Sequence, residues 1–91
     1  MKRMRVIISG RVQAVWYRGW TVDEATARGL DGWVRNRRDG TVEAVFQGAP
    51  EVVEAMIEAC RIGPPAARVT NIERFDHEAP IPPGFRSWPT A

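Results

Sequence analysis

Stretches in which apolar and polar residues alternate predict four strands along this chain. The first runs from Met4 to Ser9, and the next two, 33–36 and 41–46, are separated by an Asp-Gly step that favours a tight antiparallel hairpin. The fourth is predicted over 68–75, where the alternation breaks and indicates either a β-bulge or an earlier start. Beyond a proline-rich linker, a short edge strand is expected over 85–88.

Two other stretches have the spacing of helices. The first helix is predicted over 21–28, with acidic residues in its first turns and Gly29 as its stop. The second begins at Pro50, carries apolar residues at helical spacing as far as Cys60, and ends at Gly63. The order β-α-β-β-α-β predicts an α+β, ferredoxin-like sandwich, in which an antiparallel sheet has both helices on one face.

This topology brings two polar segments together. A right-handed crossover through the first helix makes the first two strands parallel, so both strands end at the same edge of the sheet. We therefore expect the loop 10–18 to meet Asn36 at that edge. Along its strand Asn36 has the same parity as Val34, so if Val34 faces the helices, Asn36 points under the loop.

Length and charge limit the class of protein. A chain of 91 residues fits a single domain, 1–91. Its formal net charge of +2 is too small to indicate a nucleic acid or an anionic membrane as partner, so neither is expected. Of the 13 basic residues all but Lys2 are Arg, whose planar fork suits carboxylate and phosphate oxygens, although a coding bias gives the same skew.

Cysteine usage and the amino-terminal segment indicate the compartment. Cys60 is the only cysteine, which excludes an internal disulfide, and no cluster of ligating side chains has metal spacing, so neither a metal nor another cofactor is expected. Only three consecutive apolar residues precede Ser9, too few for a signal peptide or a membrane-spanning segment. We expect a cytoplasmic protein that is a monomer.

The loop 10–18 has the position of an anion site, between a strand and the start of a helix. Free backbone N–H groups and the positive end of the helix dipole attract anions there, and Arg18 is unfavourable in that place unless an anion compensates its charge. Composition alone favours Arg18 as a solvated surface charge, and Asn36 could equally be a turn residue that satisfies backbone groups. Arg18, Asn36 and backbone N–H groups would suffice for an acyl phosphate, because its carboxylate leaving group needs no general acid.

Two motifs in these segments resemble the acylphosphatase family. Its Gly-x-Val-Gln-x-Val-x-aromatic-Arg loop is matched by Gly10, Val12, Gln13, Val15, Tyr17 and Arg18. Its Gly-aromatic-Val-x-Asn motif, followed by two further glycines, is matched by Gly32, Trp33, Val34, Asn36, Gly40 and Gly48. The run 63–69 is also similar to the family's turn into the fourth strand, so the resemblance spans nearly the whole chain.

The resemblance implies an acylphosphate phosphohydrolase, which converts an acyl phosphate to a carboxylate and inorganic phosphate without metal or cofactor. It assigns phosphate binding to Arg18 and to the backbone N–H groups of Ala14, Val15, Trp16, Tyr17 and Arg18, and water orientation to Asn36. The family usually has Gly where this chain has Ala14. If that position needs a positive φ, the methyl group costs roughly 1 kcal/mol or bends the loop.

Two alternatives are kept beside this interpretation. RNA recognition motifs have the same order of elements and stack bases on aromatic residues of the central strands, but the third strand here offers only Phe46. The other alternative is a catalytically weakened relative that merely binds phosphate or another protein, and Ala14 is its only indication. The inferred site recognises the phosphoryl end of an acyl phosphate.

Overall fold

A computed structural model describes all residues of the chain, 1–91, as two helices packed on a five-stranded sheet. The elements in chain order are β1 (Lys2–Arg11), α1 (Tyr17–Ala27), β2 (Asp31–Asn36), β3 (Val42–Gly48), α2 (Pro50–Ile62), β4 (Arg68–Asp76) and β5 (Phe85–Ser87). The strand order in space is β4-β1-β3-β2-β5. The predicted ferredoxin-like arrangement is confirmed: β1 and β2 both lie antiparallel to β3, and are therefore parallel to each other.

The sheet differs from the prediction at its edge, where β5 is parallel to β2 and makes the sheet mixed. The predicted bulge is present, because Ser9 faces Asn71 while Gly10 faces Val69, which leaves Thr70 as the extra residue on β4. Gly10 is needed at this point. It has φ of 123°, and a Cβ on it would lie 2.1 Å from the carbonyl oxygen of Arg68.

The first helix begins at Tyr17, so the predicted start at Thr21 is wrong. No side chain caps this end, and no acidic residue lies in its first turn, so the usual signals of a helix start are missing. The helix is instead fixed by packing: Tyr17, Thr21 and Ala25, spaced four residues apart, form its buried stripe. The Thr21 hydroxyl is satisfied there by donating to the Tyr17 carbonyl at 2.8 Å.

The core lies between the helices and one face of the sheet. The second helix contributes Val53, Met56, Ile57 and Cys60, all fully buried at helical spacing as predicted. The alternate residues of the strands meet them, with Val6, Ile8, Val34, Val42, Ala44 and Phe46 inaccessible to solvent. Neither helix has the length and apolar content that a bilayer crossing requires.

The other face of the sheet is closed by charged and aromatic side chains. The buried carboxylate of Glu43 accepts hydrogen bonds from Arg5 at 2.6 Å and Arg35 at 2.7 Å. Burial opposes ionisation of Glu43, but the two guanidinium groups outweigh it and hold the pKa of this carboxyl below its usual value. Arg35 also lies over Trp33, which stacks on Trp88 with a centroid distance of 4.3 Å.

Candidate active site

The loop from β1 to α1 presents a row of free backbone donors. None of the N–H groups of residues 14–19 donates to an acceptor of the protein. Two residues of the loop have left-handed backbone, Ala14 with φ of 59° and Trp16 with φ of 64°. Alternation of left-handed and ordinary backbone turns successive N–H groups toward a common point, which is the geometry of an anion-binding nest. The positive end of the α1 dipole adds to the attraction for an anion.

Arg18 is the second residue of α1 and lines a cavity above this loop. Its side chain is partly buried, and its guanidinium group forms no salt bridge and no hydrogen bond with another residue. A cation in the first turn of a helix faces the positive end of the dipole, so its position is electrostatically unfavourable unless an anion binds beside it. The N–H donors of the Arg18 guanidinium are thus available to bind an anion at a site of positive potential.

Asn36 is the last residue of β2 and lines the same cavity. Its Oδ1 is buried to less than 1 Å² and is the one buried side-chain N or O atom of the protein without a hydrogen-bond partner. A buried polar atom without a partner costs about 1–3 kcal/mol, so such atoms are rare unless they have a function. A water held in the cavity would satisfy this oxygen by donating to it.

The cavity has a volume of about 300 Å³ and is the one pocket of the molecule. The residues that line it are Val12, Ala14, Trp16, Tyr17, Arg18, Gly19, Asn36 and Ser87. The structure therefore brings Arg18, Asn36 and most of the predicted loop together. Of the five loop residues predicted to bind phosphate, Val15 alone does not line the cavity, because its side chain is buried in the core.

Gln13 connects the loop with the turn that follows Asn36. Its Nε2 donates to the carbonyl oxygen of Arg37 at 2.8 Å and to that of Thr41 at 2.9 Å. Both hydrogens of the carboxamide are used, one toward each end of the β2–β3 hairpin turn. The spacing between the free N–H groups and Asn36 is therefore fixed by a side chain as well as by the sheet.

Tyr17 anchors the other side of the loop to α2. Its hydroxyl donates to the Cys60 carbonyl at 2.6 Å, and burial, followed by the neighbouring Cys60, raises the pKa of Tyr17 above its usual range. Burial likewise raises the pKa of the Cys60 thiol to about 12. Tyr17 is thus a neutral anchor, and Cys60 is a neutral core residue outside the cavity, as predicted.

The lining of the cavity suits one type of reaction. It contains a guanidinium, a carboxamide, a hydroxyl and free N–H groups, but no carboxylate, imidazole or thiol that could act as a general acid. Such a lining can bind a tetrahedral anion and orient a water beside it, which is sufficient when the leaving group is stable without a proton. No group of His, Cys, Asp or Glu side chains is arranged to hold a metal ion.

Two residues of the cavity were not predicted from the sequence. Ser87 reaches it because β5 pairs with β2 in register Val34 to Ser87, a long-range contact without a local signal. Gly19 lies directly under the Trp16 indole, where a Cβ would come within 2.1 Å of Nε1. The signal available in the sequence was the glycine itself, since a residue without a Cβ permits such a close approach.

Comparison with known proteins finds acylphosphatases that match nearly the whole chain. The family model for acylphosphatase matches residues 4–87. An acylphosphatase of Rhodospirillum rubrum is 58% identical over 90 residues, which make up 99% of either chain. The crystal structure of acylphosphatase from Bacillus subtilis is 36% identical, with a TM-score of 0.88 over 96% of this chain and 97% of that one. An acylphosphatase structure from Coxiella burnetii is 31% identical, with a TM-score of 0.91 over 96% and 92%.

Proposed function

This chain belongs to the acylphosphatase family, and we propose that Arg18 and the loop N–H groups hold the phosphoryl group of its substrate while Asn36 positions the attacking water. The reaction is hydrolysis of an acyl phosphate to a carboxylate and inorganic phosphate.

The phosphoryl group binds to the N–H groups of Ala14, Val15, Trp16, Tyr17 and Arg18. These donors have no other acceptor, and the left-handed backbone at Ala14 and Trp16 supports their convergence. The Arg18 guanidinium adds a charge-assisted pair of hydrogen bonds. Because the donors are already in place, they stabilise charge on the equatorial oxygens in the transition state without reorganisation.

Asn36 holds the water. Its Oδ1 accepts one hydrogen of a water molecule, so that a lone pair of the water oxygen can face phosphorus. The new bond forms between this oxygen and phosphorus while the bond from phosphorus to the acyl oxygen breaks. The electron pair of that bond leaves with the carboxylate, and both protons of the water stay with the phosphate product.

No acid is needed at the leaving group, since a carboxylate is stable unprotonated near neutral pH. This agrees with a cavity that lacks any titratable group other than Arg18 and the neutral Tyr17. The single observation that carries the assignment is the unpartnered Oδ1 of Asn36 in the pocket that Arg18 also lines.

The test separates binding from turnover. Hydrolysis of benzoyl phosphate is followed continuously, with a chelator present, and phosphate affinity is measured by competitive inhibition. Arg18→Ala should lose phosphate binding and at least about 10³-fold in turnover. Asn36→Ala should lose turnover by about 10³-fold while phosphate binds as before.

Matched controls exist on the same sheet. Arg11→Ala removes an exposed arginine next to the loop, and Asn71→Ala removes an exposed asparagine on β4; neither residue lines the cavity. Both controls should turn over like the wild type. Equal loss of phosphate affinity in Arg18→Ala and Asn36→Ala, or full turnover in Arg18→Ala, would contradict the proposed roles.

We further propose that residues 1–91 act as one domain, as a cytoplasmic monomer without a nucleic-acid partner. In support, Phe46 of β3 is buried in the core and offers no platform for a base. The central strands instead present Glu43 and its partners Arg5 and Arg35 on the open face of the sheet. Light scattering after gel filtration measures the oligomeric state, and cell fractionation the location.

A further inference from the structure

Trp16 is an exposed aromatic residue at the mouth of the candidate active site. The residue is 64% exposed and lines the cavity. The other large apolar residues exposed on this molecule, Met1, Ile62, Phe75 and Trp88, do not line it. The one large apolar surface that a ligand of this pocket can reach from the solvent side is therefore the indole of Trp16.

The indole is held in place before any ligand arrives. Gly19, one turn further along α1, lies directly beneath it, and a Cβ there would come within 2.1 Å of Nε1 and 2.6 Å of Cε2. The ring therefore rests on the helix backbone itself. Its backbone is also fixed in the left-handed region, with φ of 64°. A ring that is exposed on one face and supported on the other can stack on a planar group without much loss of side-chain entropy.

The proposed reaction geometry directs the acyl group toward this ring. In an in-line displacement the leaving group departs on the side of phosphorus opposite to the attacking water. Oδ1 of Asn36, which holds the water, is buried to less than 1 Å², and Asn36 lines the cavity. The acyl group must therefore point from the phosphoryl group toward solvent, past the rim that Trp16 forms.

We infer that Trp16 is an acyl-binding subsite that selects acyl phosphates with a planar aromatic acyl group. This inference rests on the proposed function of the pocket. The indole stacks on the ring of an aroyl phosphate, while a small acyl group such as acetyl is too short to cover it. The contact contributes to specificity through kcat/KM, because it remains in the transition state, where phosphorus is still beside the leaving carboxylate.

The experiment compares kcat/KM for benzoyl phosphate with kcat/KM for acetyl phosphate. Both substrates carry the same phosphoryl group, so any damage to the phosphate loop lowers both values and cancels in their ratio. In Trp16→Ala the ratio should fall by about three- to tenfold, the size of an aromatic stacking contact. Alanine keeps a Cβ at the left-handed position, so the backbone strain is not altered along with the ring.

Two further variants complete the test. Trp16→Phe retains a ring and should restore most of the wild-type ratio. Phe75→Ala removes an exposed aromatic side chain that lies outside the cavity, and should leave the ratio as in the wild type. A ratio in Trp16→Ala that stays within about twofold of the wild type would overturn the subsite while leaving the hydrolase intact. Absence of wild-type turnover on both substrates would instead overturn the function on which the subsite depends.

Discussion

Replacing Ala14 by Gly tests whether the proposed phosphate-binding loop holds backbone strain. Ala14 has φ of 59°, in the region where the Cβ of an L-residue approaches the following carbonyl oxygen. That conformation costs about 1–2 kcal/mol, and Gly adopts it without the penalty. Gly also loses about 0.4–1 kcal/mol more chain entropy on folding. The balance predicts that Ala14→Gly increases the free energy of unfolding by about 0.5–1 kcal/mol.

The second helix provides a matched control. Ala55 is exposed like Ala14, but lies in the middle of α2 with ordinary helical backbone. Ala55→Gly changes the entropy of the unfolded chain by the same amount and relieves no strain, so it should reduce stability by about 1 kcal/mol. The two variants should thus differ by about 1.5–2 kcal/mol, although the change of side chain is identical.

The assay is equilibrium unfolding in urea at constant pH, with the slope m checked for each variant. Thermal unfolding gives a second measurement, in which the gain for Ala14→Gly corresponds to a rise in Tm of about 2–8 °C for a domain of this size. If Ala14→Gly destabilised the protein as much as Ala55→Gly does, the loop would not be strained at Ala14 and the reasoning would be refuted.

Two further predictions concern side chains that hold the scaffold together. Gln13→Ala removes the hydrogen bonds between the loop and the turn after Asn36. It should lower kcat about tenfold in fully folded protein and change inhibition by phosphate little, because only the position of Asn36 becomes less fixed. An unchanged kcat would mean that Gln13 has a purely structural role. Glu43→Gln should cost about 1–2 kcal/mol of stability at pH 7. The pKa of Glu43 is lower in the folded state, so its contribution to stability is present above the unfolded pKa of 4.5 and is lost as the pH falls through the folded pKa. The difference in unfolding free energy between variant and wild type should therefore shrink toward pH 3 in urea titrations. A difference that stays constant with pH would show that the charge is not responsible.

The parts of this fold that were predictable are those in which local signals and packing agree. The second helix begins at Pro50, carries its apolar stripe at helical spacing and ends at Gly63, so its bounds follow from the sequence. The meeting of Arg18 and Asn36 was also predictable, because a right-handed crossover leaves little choice of topology.

The start of the first helix could not be found in the same way. Trp16 stands at the position of the cap in left-handed backbone, and Arg18 follows in the first turn, so both residues contradict the local rules for a helix start. The helix is formed from Tyr17 onward because the buried stripe against α2 and the sheet outweighs those local costs. Ser87 was missed for a different reason. The parallel pairing of β5 with β2 is decided by tertiary packing, and a strand of three residues is too short to show a sequence pattern for it.

The local exceptions of this protein share one location. Ala14 lies in left-handed backbone, α1 starts without a cap and with Arg18 in its first turn, and Oδ1 of Asn36 is buried without a donor. Each feature is unfavourable alone, and outside the cavity the chain satisfies comparable groups, as it does for the buried hydroxyl of Thr21. A phosphoryl anion with one water behind it would compensate the free N–H groups, the charge of Arg18 and the orphan oxygen together. The same reactants thus remove the costs of the free N–H groups, of Arg18 and of Oδ1. We interpret these costs, together with the strain at Ala14, as the energetic cost of a preorganised site. The donors are oriented when the protein folds, so they need not reorganise when charge develops on phosphorus.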